Sequence, residues 1–115
     1  MKRQENRIVT KIIRDLCLMM LNSGVHDFHV EVKEEHTRTI LRFASKDIKP
    51  EITDKIEKEM VCEREIEVET YGFELLGDMQ AQNELELLGC LTDSVSIKKE
   101  EDTTIIEVIR KNIYG

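Results

Sequence analysis

The stretch from His26 to Glu51, HDFHVEVKEEHTRTILRFASKDIKPE, restricts the fold of this chain more than any other. Val30 and Val32 fall at spacing two with His26 and Phe28, while Asp27, Glu31 and Lys33 point the other way, the alternation of a half-buried strand. Ile40, Leu41 and Phe43 form a thicker apolar run, as a more central strand requires. The polar Lys33-Glu34-Glu35-His36 between them makes an antiparallel hairpin the economical reading. The loop Ala44 to Lys49 then runs into Pro50, whose missing N–H suits a first helical turn. A strand that hands over to a helix through a short loop is a common place for a ligand, so the residues from Phe43 to Pro50 carry the question of function.

The rest of the chain supplies partners for that hairpin. A first helix is expected from about Glu5 to Asn22, because Val9, Ile12, Ile13, Leu16, Cys17 and Met20 follow the i, i+3, i+4 rule. Every residue from Leu16 to Leu21 is apolar, and Gly24 is available for a left-handed cap. A second helix from Pro50 to about Val61 repeats Ile52, Ile56 and Met60 on one face. Residues 62–80 alternate Glu63, Glu65, Glu67 and Glu69 with Arg64, Ile66, Val68 and Thr70, and read as a lid-like flap or a short edge strand. A third helix from about Ala81 to Leu91 buries Ala81, Leu85, Leu88 and Leu91. Two strands close the chain, Val95 and Ile97 in the first and Ile105 to Arg110 in the second. The order α-β-β-α-(lid)-α-β-β predicts one domain over 1–115. Its fold class is α/β (α+β), a two-layer sandwich whose four- or five-stranded mixed sheet is covered on one face by three helices.

Composition narrows the function classes. Lys plus Arg is 17 against 24 Asp plus Glu, a net charge of −7 that repels nucleic acid. The basic series Lys2, Arg3, Arg7, Lys11, Arg14 is interrupted by Glu5 and Asp15, so a solvated helix start is the better reading. Absence of Trp, with few Phe and Tyr, argues against base-stacking surfaces and carbohydrate clefts. Cys17, Cys62 and Cys90 are odd in number and widely spaced, which gives neither a disulfide framework nor a CxxC metal pair. The apolar run of the first helix is too short to span a bilayer and no signal peptide precedes it, so a reducing cytoplasm is the expected location. His26 and His29 fall on opposite faces of a strand and His36 near a turn, so ordinary surface histidines outweigh a metal site. Cys62 beside Glu63 and Glu65 has an environment opposed to an activated thiolate.

The element order, together with Leu41-Arg42-Phe43-Ala44-Ser45-Lys46-Asp47-Ile48-Lys49-Pro50-Glu51, resembles the ATP-binding domain of histidine kinases and anti-sigma-factor kinases, the GHKL superfamily. Ile48, Pro50 and Glu51 stand where that family commonly has Ile, Pro and Glu. Glu84 to Leu88 and Asp93 to Ile97 are similar to its last helix and following strand, and Thr103-Thr104 fits its ending. In the family the first helix carries an acidic residue and, four residues later, an Asn that holds Mg²⁺. An Asp-x-Gly-x-Gly loop follows the second strand, its Asp reading the adenine amino group.

The resemblance covers the scaffold and departs at the nucleotide elements. With Gly24 on the family's helix-end glycine, Asp15 takes the acidic position and Met19 that of the Asn, where a thioether is a poor ligand for a hard cation. With Ile48 and Pro50 as anchors, Phe43 replaces the adenine-reading Asp, and Ser45 and Asp47 replace the two glycines. The resemblance therefore implies a regulatory protein of this fold that is more non-catalytic than enzymatic, a pseudo-ATPase acting through an unidentified protein partner. No ATP, Mg²⁺ or other metal is expected to serve as cofactor. The acidic Glu63 to Glu69 would steer a basic partner. Phe43 ends an apolar strand run and Met19 lies in the all-apolar last turns of the first helix, so both are expected in the core. Two alternatives stand beside this reading. One is an ATP-binding serine-kinase-like or histidine-kinase-like enzyme in which Asp15 activates the nucleophile. The other is a structural subunit that self-associates as a homodimer through its sheet edge or first helix.

Overall fold

The first apolar stripe folds into helix α1, Lys2–Asn22, in the computed structural model of the chain, which describes residues 2–60 and 84–112. Ile8, Ile12, Leu16 and Met20 lie within one turn-to-turn row and are fully buried. Burial of each such side chain stabilises by about 1.5–3 kcal/mol before the entropy of ordering the chain is set against it. The helix ends in a Schellman motif. Val25 N–H donates to Met20 O at 2.9 Å and Gly24 N–H to Leu21 O at 3.2 Å, with Gly24 at φ 91°. Val25 and Met20 are both buried, which supplies the apolar contact that accompanies this cap.

Strands β1 (His29–Glu34) and β2 (Arg38–Ser45) form the expected hairpin, with Val32 opposite Leu41 and Val30 opposite Phe43. Helix α2, Pro50–Glu59, starts on Pro50 and turns Ile52 and Ile56 inward. Helix α3, Glu84–Cys90, buries Leu85 and Leu88, and Leu91 follows just beyond it. Strands β3 (Ser94–Glu100) and β4 (Thr103–Lys111) join through a turn in which Glu101 takes φ 55°. The sheet order is β1-β2-β4-β3. The result is an α+β, two-layer sandwich, with the core between the sheet and the helices.

Two details differ from the sequence reading. Every pairing among the described strands is antiparallel, where a mixed sheet was expected. Both outer pairs are tight hairpins, and the hairpins meet through their second strands, β2 and β4, so no crossover returns a strand in parallel. The second difference concerns β1. Val30 and Val32 are on the helix side, in register with Phe43 and Leu41, yet they are 38% and 51% exposed. The alternation correctly assigns their face, but alternation cannot say that the helix layer stops short of this edge. The lid-like segment 62–80, including Cys62 and Glu63 to Glu69, and Ala81 lie outside the described residues.

On the sheet face away from the helices, Glu31, Arg42 and Glu107 sit side by side in register across β1, β2 and β4. Arg42 donates from Nε to Glu107 Oε2 at 2.7 Å and from Nη1 to Glu31 Oε1 at 3.3 Å. This alternation of charge fixes the register on the solvated face, much as Phe43, Leu41, Ile106 and Val108 fix it on the buried one.

Candidate functional site

The candidate site is a cleft of about 700 Å³ within the helix layer. From α1 it takes Arg14, Asp15, Leu18, Met19 and Asn22; from α2, Lys55 and Glu59; from α3, Leu85 and Leu88. Helical geometry explains the α1 contribution. Leu16 points at the sheet, and residues 15, 18, 19 and 22 lie on the flank of α1 that turns toward α2 and α3. Leu18, Met19, Leu85 and Leu88 are its apolar part; the charges are the basic Arg14 and Lys55 and the acidic Asp15 and Glu59.

Asp15 is the one carboxylate here that burial makes interesting, with its side chain 7% exposed. Lys11 Nζ donates to Oδ2 at 2.8 Å and Arg14 Nε to Oδ1 at 3.3 Å. Both carboxylate oxygens are thus engaged by cations from the same helix. Lys11 is nearly as buried as Asp15, whereas Arg14 is open to water, so the first contact is the stronger of the two. A carboxylate held this way gives the cleft an ion-paired wall.

The structure separates the five positions singled out by the sequence. Asp15 and Met19 line the cleft; Phe43, Ser45 and Asp47 do not belong to its lining. Phe43 is wholly buried on the helix side of β2, between Val30 and Ile106 in the ladder. Met19 is only partly buried, against the expectation of a core residue. The reason is one of phase: Met20 takes the core position, and Met19 is rotated onto the cleft flank. Ser45 is buried at the end of β2, where its Oγ donates to Asp27 O at 2.6 Å and accepts from the Asp47 N–H at 3.0 Å. That hydroxyl ties the strand-to-helix loop to the segment before β1. Asp47 itself is exposed.

Sequence reasoning missed the most buried charge of the described residues. Arg110, 1% exposed, donates from Nε to Glu5 Oε2 at 2.9 Å and from Nη2 to Glu5 Oε1 at 2.6 Å, and its Nη1 also donates to the Leu91 carbonyl. The signal was present: Thr104, Ile106, Val108 and Arg110 alternate with one parity, so an inward Ile106 and Val108 require an inward Arg110. Arg14, Lys55 and Glu59 were also missed, since each reads as an ordinary solvated helix residue until the helices are assembled.

His26, His29 and His36 are exposed, and no group of three metal-ligating side chains comes together among the described residues. Cys17 is half-buried, and that burial pushes its thiol pKa up, away from a reactive thiolate. No described helix is long and apolar enough to cross a membrane. Comparison of the chain with protein-family models, with curated proteins and with solved structures finds no match.

Proposed function

We propose that this chain is a regulatory, non-catalytic relative of the histidine-kinase-like and anti-sigma-factor-kinase ATPase domains, acting in the cytoplasm by contact with a protein partner. The observation that carries the reading is Phe43. At the position where the resemblance calls for an adenine-reading carboxylate, a phenyl ring is 0% exposed and fills the core. Two further observations support it. The Ser45 side chain occupies the loop where a backbone-only glycine would leave room for a ligand, and uses that loop as a structural tie. Met19 offers a thioether to the cleft, which is no ligand for Mg²⁺.

The cleft lining supports the same reading by its charge. Arg14 and Lys55 are balanced by Asp15 and Glu59, and Arg14 already contacts Asp15. A triphosphate therefore meets no surplus of positive charge from the described lining. The kinase-like alternative needs Asp15 as a base, and Lys11 holds that carboxylate at 2.8 Å.

Calorimetric titration of the full chain with Mg-ATP tests the proposal. No heat beyond dilution is expected at concentrations up to millimolar nucleotide. Saturable binding in the micromolar range would overturn it, and phosphate transfer from labelled ATP that Asp15→Ala abolishes would establish the enzyme reading instead.

A further inference from the structure

Among the described residues, the edge strand β1 carries large apolar side chains of the helix side that stand exposed, Val30 and Val32. β1 pairs with β2 on one side and has no second neighbour among the described residues. At the other edge, Val95 and Ile97 of β3 are partly buried against the core, whereas Val30 and Val32 on the same side of β1 stand in solvent. The asymmetry follows from where the helices sit. α2 approaches β3, and α1 turns its Asp15 and Met19 flank toward α2 across the cleft. The opposite flank of α1, which carries Ile13, Cys17 and the 47% exposed Leu21, therefore faces the β1 side. Exposed apolar side chains thus stand both on β1, at Val30 and Val32, and on α1, at Leu21.

We infer that β1 is a self-pairing surface, and that its occupant is the β1 strand of a second copy of this chain, added antiparallel about a two-fold axis through Val32. Charge complementarity selects this register. With Val32 opposite Val32, Glu31 of each copy stands opposite Lys33 of the other, and Val30 opposite Glu34. Glu31 already receives Arg42 on its Oε1, and Arg42 in turn holds Glu107. The second copy's Lys33, an exposed cation 3.7 Å from Glu35 of its own chain, extends that row to Lys33-Glu31-Arg42-Glu107, alternating in sign across the junction. The neighbouring symmetric register, centred on Glu31, sets Glu31 against Glu31 and His29 against Lys33. Registers centred between residues set Val32 against Glu31 or Lys33, which the pleat places on the opposite face, so they do not form a regular antiparallel ladder. The Val32-centred register keeps both helix layers on one side, where the α1 flanks and the valines cover each other. This inference is independent of the nucleotide question, since Mg-ATP and self-association are read in separate experiments.

Light scattering over a concentration series, followed by cysteine cross-linking, tests it on the full chain. The expected mass rises with concentration from the 13.5 kDa of one chain toward twice that value. Lys33→Glu, which sets two acidic side chains opposite each other, is expected to weaken association by about tenfold or more, with an unchanged far-UV spectrum. Under mild oxidation Val32→Cys is expected to form an intermolecular disulfide above the background of the parent chain, and Glu31→Cys is not. A mass that stays at one chain throughout would overturn the proposal. So would a dimer indifferent to Lys33→Glu that cross-links through Glu31→Cys or through neither position. Protection of the β1 amides from exchange in a monomeric sample would also overturn it, by placing a different occupant on the edge.

Discussion

Removal of the Glu5 carboxylate gives the most direct measure of how this fold is held together. Arg110 reaches inward from the end of β4 and Glu5 reaches back from the first turns of α1, so their contact fastens the start of the helix to the sheet. Glu5→Ala deletes both oxygens and leaves the guanidinium, 1% exposed, facing the space they occupied. Loss of one partner of a buried ion pair costs about 3–5 kcal/mol, because the remaining charge loses the carboxylate that compensated its desolvation. Glu5 is 14% exposed, so water can enter from its side, and the Leu91 carbonyl stays on Nη1. The lower end of the range, about 3 kcal/mol, is therefore expected. For a chain of 115 residues this corresponds to a fall in Tm of about 12 °C.

The double variant separates a desolvated charge from simple loss of packing. Arg110→Met with Glu5→Leu removes both charges and keeps apolar volume; it leaves the Leu91 carbonyl without its Arg110 donor but no unpaired charge, and is expected to be more stable than Glu5→Ala. Arg110→Met alone leaves a carboxylate that can turn toward water, so it should fall between the two. Urea unfolding followed by far-UV circular dichroism measures all three on one scale, with unchanged m-values showing that the same transition is compared. A Glu5→Ala chain within about 0.5 kcal/mol of the parent, or a double variant less stable than Glu5→Ala, would refute the idea that uncompensated burial dominates.

The core and the solvated hairpin make further predictions. Phe43→Ala is expected to cost about 3–5 kcal/mol, measured by the same unfolding assay, because the ring is fully enclosed. Met20→Ala should cost about 2–5 kcal/mol and Met19→Ala no more than about 1 kcal/mol, since only Met20 is fully enclosed by the core. Glu35 is held below the usual carboxylate range, first by the hydrogen bond from Arg38 Nε at 2.7 Å and then by the charges of Arg38 and Lys33. A depressed folded pKa contributes stability that is present above the unfolded value and lost as pH falls through the folded one. Arg38→Ala should therefore move the Glu35 carboxyl titration upward, as read from its NMR shift with pH.

The fold was largely legible because its apolar periods are unambiguous. Ile8, Ile12, Leu16 and Met20 recur at helical spacing, and Ile52 and Ile56 repeat it. The inward residues of β4 keep a strict period of two. The helical stripe includes Met20 and leaves Leu18 and Met19 off it, in line with Met20 enclosed, Met19 turned to the cleft and Leu18 53% exposed. What the pattern could not supply is which neighbouring helices that off-stripe flank meets. The candidate site was legible only in Asp15 and Met19, from their spacing to Gly24. Arg14, Lys55 and Glu59 join it through tertiary assembly, and no local signal marks them. The partner of Arg110 was hidden for a similar reason, since Glu5 and Arg110 are brought together by the packing of the first helix on the last strand.

The loop after β2 is closed to a ligand by its own side chains. A ligand loop at the end of a strand needs bare backbone, so that a bound group can approach the amides closely. Here Phe43 closes the strand's inner face, and Ser45 Oγ spends both its hydrogen bonds on the chain itself, to the Asp27 carbonyl and from the Asp47 amide. Each bond adds only about 0.5–1.5 kcal/mol, but together they hold the loop against the segment before β1 and give α2 a fixed entry at Pro50. The cleft of the helix layer is bounded by side chains of three helices rather than by strand-end amides. Its lining pairs Arg14 and Lys55 with Asp15 and Glu59, the paired-charge character that the proposed protein-contact function relies on.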